Sequence, residues 1–550
     1  MKVGCVLGTK PSTPLEFWVY VNNSVQLDSC IVVKSKIRMA NSGQEDFQTV
    51  TFYGIVDTVE KQLEGLNFNT DMEYVDKGII PSSFSHIAHI TVTRREPDLL
   101  VPPNPGDAVY LANEEEFKKA LYFDNMSNTI PAGLTNDNRR VDLNFEFIDG
   151  TKGAHILISG MSGIATKTSY ALFLLNNIFL KDPQKYEGLI FNVKGEDLLY
   201  LDKKNKRFRT EDASLWKKLG VENPQPFKNT KFFTPPSDRE DFTPDTKSPK
   251  GKDCFVWSMR EFAENSLFEF LFPQEAEETS NIRFAVDNIT QKLFEFAEKQ
   301  KNTERGDKNY LFIRNQEIRS LEELGRFLRE NQWMMGSAAP GTVAAVLRRL
   351  DAAGKQMSKI VYGGENKIPE WKVTKSGKIH VFDISNLRPI AQFFVVGATL
   401  KKLFIKKSRG DRFPITFVIL DELNKYAPKG KWTPLKDILI DIAQRGRSLS
   451  IVLIGAQQNA SDVERSIITN AAIKVVGRLD VAEAQSKEYD FLIGTFKKRA
   501  VMLTPGSLIL YQPDVPSPVL VRFPFPPWAT RADEVEVERE MDGFSDFANV

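Results

Sequence analysis

The hydrophobic pattern along the chain changes character twice. From Val3 to about Ala112, short stretches rich in β-branched and aromatic residues (Phe17 to Val21, Cys30 to Lys34, Thr49 to Ile55, Ile87 to Val92) are separated by turn clusters. That spacing predicts a small antiparallel sandwich or barrel. The segment "PPNPGDAVYLA", Pro102 to Ala112, closes the region with a proline-rich turn and one more strand. After a polar link around Thr135 to Arg140, apolar runs alternate with helical periodicity. Ala154 to Ile158, Leu189 to Val193, His380 to Ile384, Ile415 to Leu420 and Ser450 to Gly455 read as buried strands of a mainly parallel sheet, which is α/β architecture.

Between about Ser258 and Val361 the strands are expected to stop. Ile282, Val286, Ile289, Leu293 and Phe296 recur at steps of four and three, as do Val343, Val346, Leu347 and Leu350, which places each set on one helical face. The pattern predicts a helical insertion in the α/β domain or a separate helical domain beside it. The expected organisation is a barrel over 1–130, a first part of the α/β core over 131–257, the insertion over 258–365, the second part of the core over 366–520 and a C-terminal strap and tail over 521–550.

Composition narrows the class. Hydrophobic residues make up 41% and charged residues 26%, with no low-complexity tract, which excludes a fibrous or largely disordered chain. Lys and Arg number 73 against 72 Asp and Glu, so the net charge of +1 gives no global electrostatic case for nucleic acid and any DNA contact must be local. Three widely spaced cysteines argue against a disulfide framework, and four histidines form no ligand-spaced cluster. No run approaches the roughly 18 apolar residues that cross a bilayer, and the expected location is the cytoplasm, without a membrane partner.

Three motifs carry chemistry. In "HILISGMSGIATKTSYALFLL" an apolar strand, a small-residue turn, Lys167-Thr168 and an apolar helix follow one another. A phosphate-binding loop is built this way: backbone N–H groups face the anion, the lysine reaches the terminal phosphates and the hydroxyl completes a Mg2+ shell. Gly160, Ser162, Gly163, Ala165, Thr166, Lys167, Thr168 and Ser169 are the candidate nucleotide contacts. The usual pattern requires glycines where Met161 and Thr166 stand, so a differently shaped loop is expected. In "FVILDELNKYAP" a strand ends in Asp421-Glu422, where Asp421, with Thr168, can hold Mg2+ partly through water and Glu422 can polarise the attacking water. One helix later "SIVLIGA" ends at Gln457-Gln458, and an amide beside Asp421 could contact the γ-phosphate or orient water. Arg445 and Arg447, which lead into that strand, could stabilise charge on a neighbouring subunit's γ-phosphate, or simply pair with Asp441 or solvent.

Taken together these motifs resemble the HerA branch of the HerA/FtsK superfamily. The likeness spans nearly the whole chain: the barrel ending in "PPNPGDAVYLA", the loop with Lys167-Thr168, the Asp421-Glu422 strand, "AQRGRS" and "GAQQNASDVERSIITNAAIKVVGRL". It implies a RecA-like P-loop ATPase core, ATP and Mg2+ as cofactors, and a homo-oligomeric ring, expected to be a hexamer, that drives double-stranded DNA. Gln457 takes the place of the family's sensor glutamine, with Asn470 and Arg478 in the following strand-helix unit. "FNVKGEDLL" occupies a position where the family carries a conspicuous acid, which makes Glu196 and Asp197 candidates. The segment "VRFPFPPWAT" resembles a strap that crosses a subunit, although it could pack on its own domain.

The resemblance further implies an effector, a nuclease or a sirtuin-like enzyme, docked on the N-terminal barrel face, and a role in bacterial anti-phage defence. The altered phosphate loop keeps open a second function: an ATP-binding hexameric scaffold that assembles and activates its effector without processive translocation. A monomeric nucleotide-dependent enzyme whose insertion binds a small substrate is a third. Basic clusters at Lys203 to Arg209, Lys401 to Arg412 and Lys497 to Arg499 could line a pore or be solvated faces.

Overall fold

The fold is given by a computed structural model that describes residues 1–39, 46–64, 71–79, 83–161, 167–195, 197–238, 241–273, 280–369, 371 and 375–536. The first hundred residues alternate inward apolar and outward polar side chains, and the strands they form close on themselves. Around the barrel the order is Lys2–Val6, Glu16–Val21, Ser83–Glu96, Asp46–Glu64, Cys30–Met39 and Ala108–Leu111, every pair antiparallel. Phe17, Val19, Val33, Phe52, Ile90 and Val109 fill its interior. Closure leaves no unpaired edge to expose. Of the two architectures the sequence allowed, the barrel is the one formed.

One outer face of the barrel is buried too. Cys30, Val32, Tyr53 and Ile55 pack into the core built around the large sheet. The junction is pinned by Arg499, whose guanidinium makes paired contacts of 2.8 and 2.5 Å with the Asp28 carboxylate.

Among the described residues the large sheet has 12 strands. Asp253–Cys254, Thr230–Thr234, Ile379–Asp383, Tyr186–Asn192, Ile415–Asp421, Ile451–Gln457, Ile156–Ser159 and Ile473–Val476 lie side by side and parallel. Ser507–Tyr511, Val519–Arg522, Thr129–Leu134 and Arg140–Asn144 continue the sheet antiparallel. The polar stretch read as a link at Thr135 to Arg140 is thus mostly the turn of a hairpin in this sheet. Pro131, which cannot donate to a ladder, masks the strand signal there.

The sheet is covered on both faces, as its parallel strands require. Phe417 and Ile419 pack with the helix Lys167–Lys181 on one side, and Val418 and Leu420 join the opposite core. The insertion helices Ser280–Lys301 and Pro340–Met357 bury the predicted faces in that same second core, with Phe296 only partly covered, and the helix Leu321–Glu330 joins them there. The insertion therefore has no separate core of its own among the described residues. Strands do not stop within it: Leu311–Ile313 pairs with Gln316–Ile318, and Trp257–Ser258 pairs with Val361–Tyr362. Segments of two or three residues are too short to display a period of two, so the hydrophobic pattern could not reveal them.

Candidate functional site

The site forms where parallel strands end. Ile156–Ser159 is buried throughout and runs into Gly160, whose φ of 155° and close neighbours (an added Cβ would meet Gly477 Cα at 3.2 Å) demand glycine. Met161 N–H donates to the Arg478 carbonyl at 2.7 Å, which fixes the entry to the loop. Of the loop candidates, Ser162, Gly163, Ala165 and Thr166 lie outside the described residues. Lys167 opens the helix and is buried; its ammonium donates to the Gly160 carbonyl at 2.5 Å. Burial pushes the Lys167 pKa below its ordinary value, with Asp421 acting against that shift.

Two strands away, Asp421 closes Ile415–Asp421 with its carboxylate almost fully buried. Thr168 donates its hydroxyl to Asp421 Oδ2 at 3.1 Å, the Lys194 ammonium meets the same oxygen at 2.9 Å, and the Glu422 N–H donates to Oδ1 at 2.9 Å. Lys167, Thr168, Ser169, Lys194, Asp197 and Asp421 line one cavity of about 280 Å³, joined by Thr530 and Arg531 from the C-terminal segment. A buried carboxylate, a hydroxyl on the same oxygen and an adjacent buried ammonium are the donor set that a hard cation and a phosphate chain need. The residues fit Mg2+ held by Thr168 and Asp421, with phosphates at Lys167.

Glu422 sits beside this cluster in a left-handed conformation (φ 57°, ψ 46°) that is uncommon for a residue with a Cβ, and its carboxylate pairs with Lys425. Gln457 is placed differently from expectation. Ala456, not Gln457, stands opposite Asp421 in the register, and successive side chains of a strand point to opposite faces. Gln457 is therefore directed away from Asp421; its amide donates to Ser159 Oγ at 2.8 Å, and Oε1 is buried without a partner among the described residues. Arg445 and Arg447 are exposed near the C-terminus of the helix Pro434–Leu449, at the N-terminal edge of the parallel strands where Ile451–Gln457 begins. Arg447 Nε donates to the Gly150 carbonyl at 2.9 Å. Seven residues of strand, about 20 Å, separate that edge from the Asp421 end, so neither arginine joins its own chain's cavity.

Asn470 ends the helix Arg465–Asn470 and donates to the Ser466 carbonyl, away from the cavity lining. Glu196 lies outside the described residues, whereas Asp197 lines the cavity and pairs with Arg531 at 3.0 Å. The strap folds over its own chain. Trp528 is buried against Phe227 and Trp216, with ring centroids 4.7 and 6.1 Å apart, and Phe523 packs on Tyr170 and Phe173. Many members of the basic clusters are neutralised internally: Lys401 by Glu269, Lys402 by Glu261, Lys497 by Asp490 and Arg499 by Asp28.

Sequence reasoning missed Lys194, Thr530 and Arg531. Lys194 stands inside "FNVKGEDLL", where the acids Glu196 and Asp197 drew the chemical argument away from the cation. Arg531 is remote in sequence, and only the path of the strap brings it to Asp197.

No protein-family model and no curated protein matches the chain. Among solved structures it is similar to VirB4 of Thermoanaerobacter pseudethanolicus, at 14% identity and a TM-score of 0.46, over 73% of this chain and 97% of that one. It is also similar to the plasmid coupling protein TrwB in complex with ADP and Mg2+, at 10% identity and a TM-score of 0.44, over 72% and 90%. A third likeness is to the genome packaging NTPase B204 from Sulfolobus turreted icosahedral virus 2 in complex with ATP-gammaS, at 14% identity and a TM-score of 0.21, over 29% and 73%. Values this low carry no residue-level inference. The order of the strands, the helix opened by Lys167 and Thr168 and the acid at the end of Ile415–Asp421 define the fold: a RecA-like P-loop α/β core with an N-terminal closed antiparallel barrel.

Proposed function

We propose that the chain is a Mg2+-dependent ATPase that works as a homo-oligomeric ring. The observation that carries this reading is the meeting, around one cavity, of Lys167 and Thr168 at the start of the helix after Ile156–Ser159 with Asp421 at the end of Ile415–Asp421, far away in sequence. When bound, Mg2+ would neutralise charge on the β- and γ-phosphates. The chain's own residues do the rest: Lys167 exchanges its carbonyl partner for phosphate oxygen, Thr168 and Asp421 orient the metal, and Glu422 takes a proton from the attacking water. Arg445 and Arg447, exposed and remote from their own chain's cavity, are available to a neighbour's nucleotide in such a ring.

Titration of a fluorescent ATP analogue tests the site. Lys167→Ala is expected to weaken binding by at least about 10²-fold, the scale on which a charge-assisted phosphate contact acts. Wild-type affinity in that variant would refute the assignment.

Within this reading the ring is a hexameric translocase of double-stranded DNA, with the barrel carrying a nuclease or sirtuin-like effector in anti-phage defence. These finer features rest on the sequence resemblance. The departure of "GMSGIATKTS" from the usual loop favours one second reading, a nucleotide-switched scaffold for the effector. Turnover that DNA does not stimulate, with effector activity that follows bound nucleotide, would select the scaffold.

A further inference from the structure

Asp421 Oδ2 is shared by two donors, the Thr168 hydroxyl at 3.1 Å and the Lys194 ammonium at 2.9 Å. The Lys194 side chain is 47% exposed, while that of Asp421 is only 7% exposed. The turn that presents Lys194 is itself held from beneath. Asn192, buried at the end of Tyr186–Asn192, donates to the Gly195 carbonyl at 2.7 Å and to Asp383 Oδ1 at 3.1 Å, and its own Oδ1 accepts from the Lys194 N–H at 3.3 Å. Gly195 supplies the positive φ (53°) that lets the chain reverse there. A buried carboxylate must be compensated, and this turn delivers a tethered positive charge to the oxygen that a Mg2+ shell would use.

We infer that Lys194 is a positioning residue that competes with the divalent cation for Asp421 in the nucleotide-free protein. The inference rests on the proposed ATP site. A lysine released from Asp421 by a metal alone would lose its counter-charge in a half-enclosed cavity. A lysine released by a metal that arrives with a polyphosphate gains phosphate oxygen instead. Lys194 thus makes cation entry depend on nucleotide, and it keeps the charge of the site balanced in both states.

Mn2+ binding to the nucleotide-free protein, followed by electron paramagnetic resonance, tests this without reference to turnover. If Lys194 holds Asp421 about nine-tenths of the time, its removal raises apparent cation affinity about tenfold. Lys194→Met should show that gain, and Lys194→Arg, which keeps the charge, should stay near wild type. Lys194→Gln serves where the methionine variant fails to fold. A merely structural lysine would give the opposite result, weaker Mn2+ binding as the site loosens.

Unchanged or weaker Mn2+ binding in both neutral variants, with normal ATP–Mg2+ binding by the wild type, overturns the role of Lys194 alone. A wild-type chain that binds no ATP analogue at any Mg2+ concentration overturns the nucleotide site and this inference together.

Discussion

Replacing Trp528 by alanine tests whether the C-terminal strap is part of the nucleotide site. Trp528 is 1% exposed and lies edge or tilt against Phe227 and Trp216, and the backbone around it is tied to the core by Asn205 N–H to the Pro527 carbonyl and Leu198 N–H to the Thr530 carbonyl, at 3.0 and 2.8 Å. Truncating a buried aromatic of this kind costs about 3–5 kcal/mol through lost transfer energy and the cavity left behind. Among the described residues the C-terminal segment enters the large sheet through Val519–Arg522, and residues 523–536 lie beyond it, so the loss is expected as local opening of 523–536 rather than global unfolding.

At about 1.4 kcal/mol per decade, amide exchange in that segment should accelerate by roughly two to three and a half orders of magnitude. Since Thr530 and Arg531 form one wall of the cavity, ATP-analogue affinity should fall with it. Hydrogen-exchange mass spectrometry and fluorescence titration on the same samples read both effects. Unchanged exchange across 527–531 would refute the packing argument, and opened exchange with intact affinity would refute the link between strap and site.

Glu422→Gln should preserve nucleotide binding while hydrolysis falls by about 10²-fold or more, as loss of general-base assistance predicts; mixed with an Arg447→Ala variant in one ring it should recover part of the activity, and failure of both binding and recovery would make Glu422 structural. Burial holds His155 down at about 4 and His380 at about 3, so both are neutral in the folded protein. The contribution of His155 is complete above the ordinary value of 6.5 and is lost as pH falls below it, at about 1.4 kcal/mol per unit, or about 2 kcal/mol by pH 5, whereas the buried Glu187 carboxylate 3.5 Å from His380 opposes the same loss there. The hydrogen bond to Asp57 raises the pKa of His89, so its contribution runs in the opposite sense and is fully present only below 6.5. Urea unfolding midpoints that stay flat from pH 6.5 to 5 would contradict this.

The strands that reach the site were legible because each is a buried apolar run long enough to register. Ile156–Ser159, Tyr186–Asn192 and Ile415–Asp421 advertise themselves as strands, and the chemistry at their ends, Lys167-Thr168 and Asp421-Glu422, follows directly in sequence. The short pairs Trp257–Ser258 with Val361–Tyr362, and the hairpin through Pro131, were not legible, since their stability comes from partners distant in sequence and not from any period of their own.

The linear order of residues by itself determined the α/β alternation, the barrel pattern and the candidate phosphate and metal motifs, because these depend on local propensity and on neighbours a few positions away. Only the tertiary structure decided which way Gln457 points, which cation sits on Asp421 and which wall the strap supplies. A one-residue step along a strand reverses the face of a side chain, and a salt bridge between residues 194 and 421 is a property of the sheet order that sets two strand ends side by side.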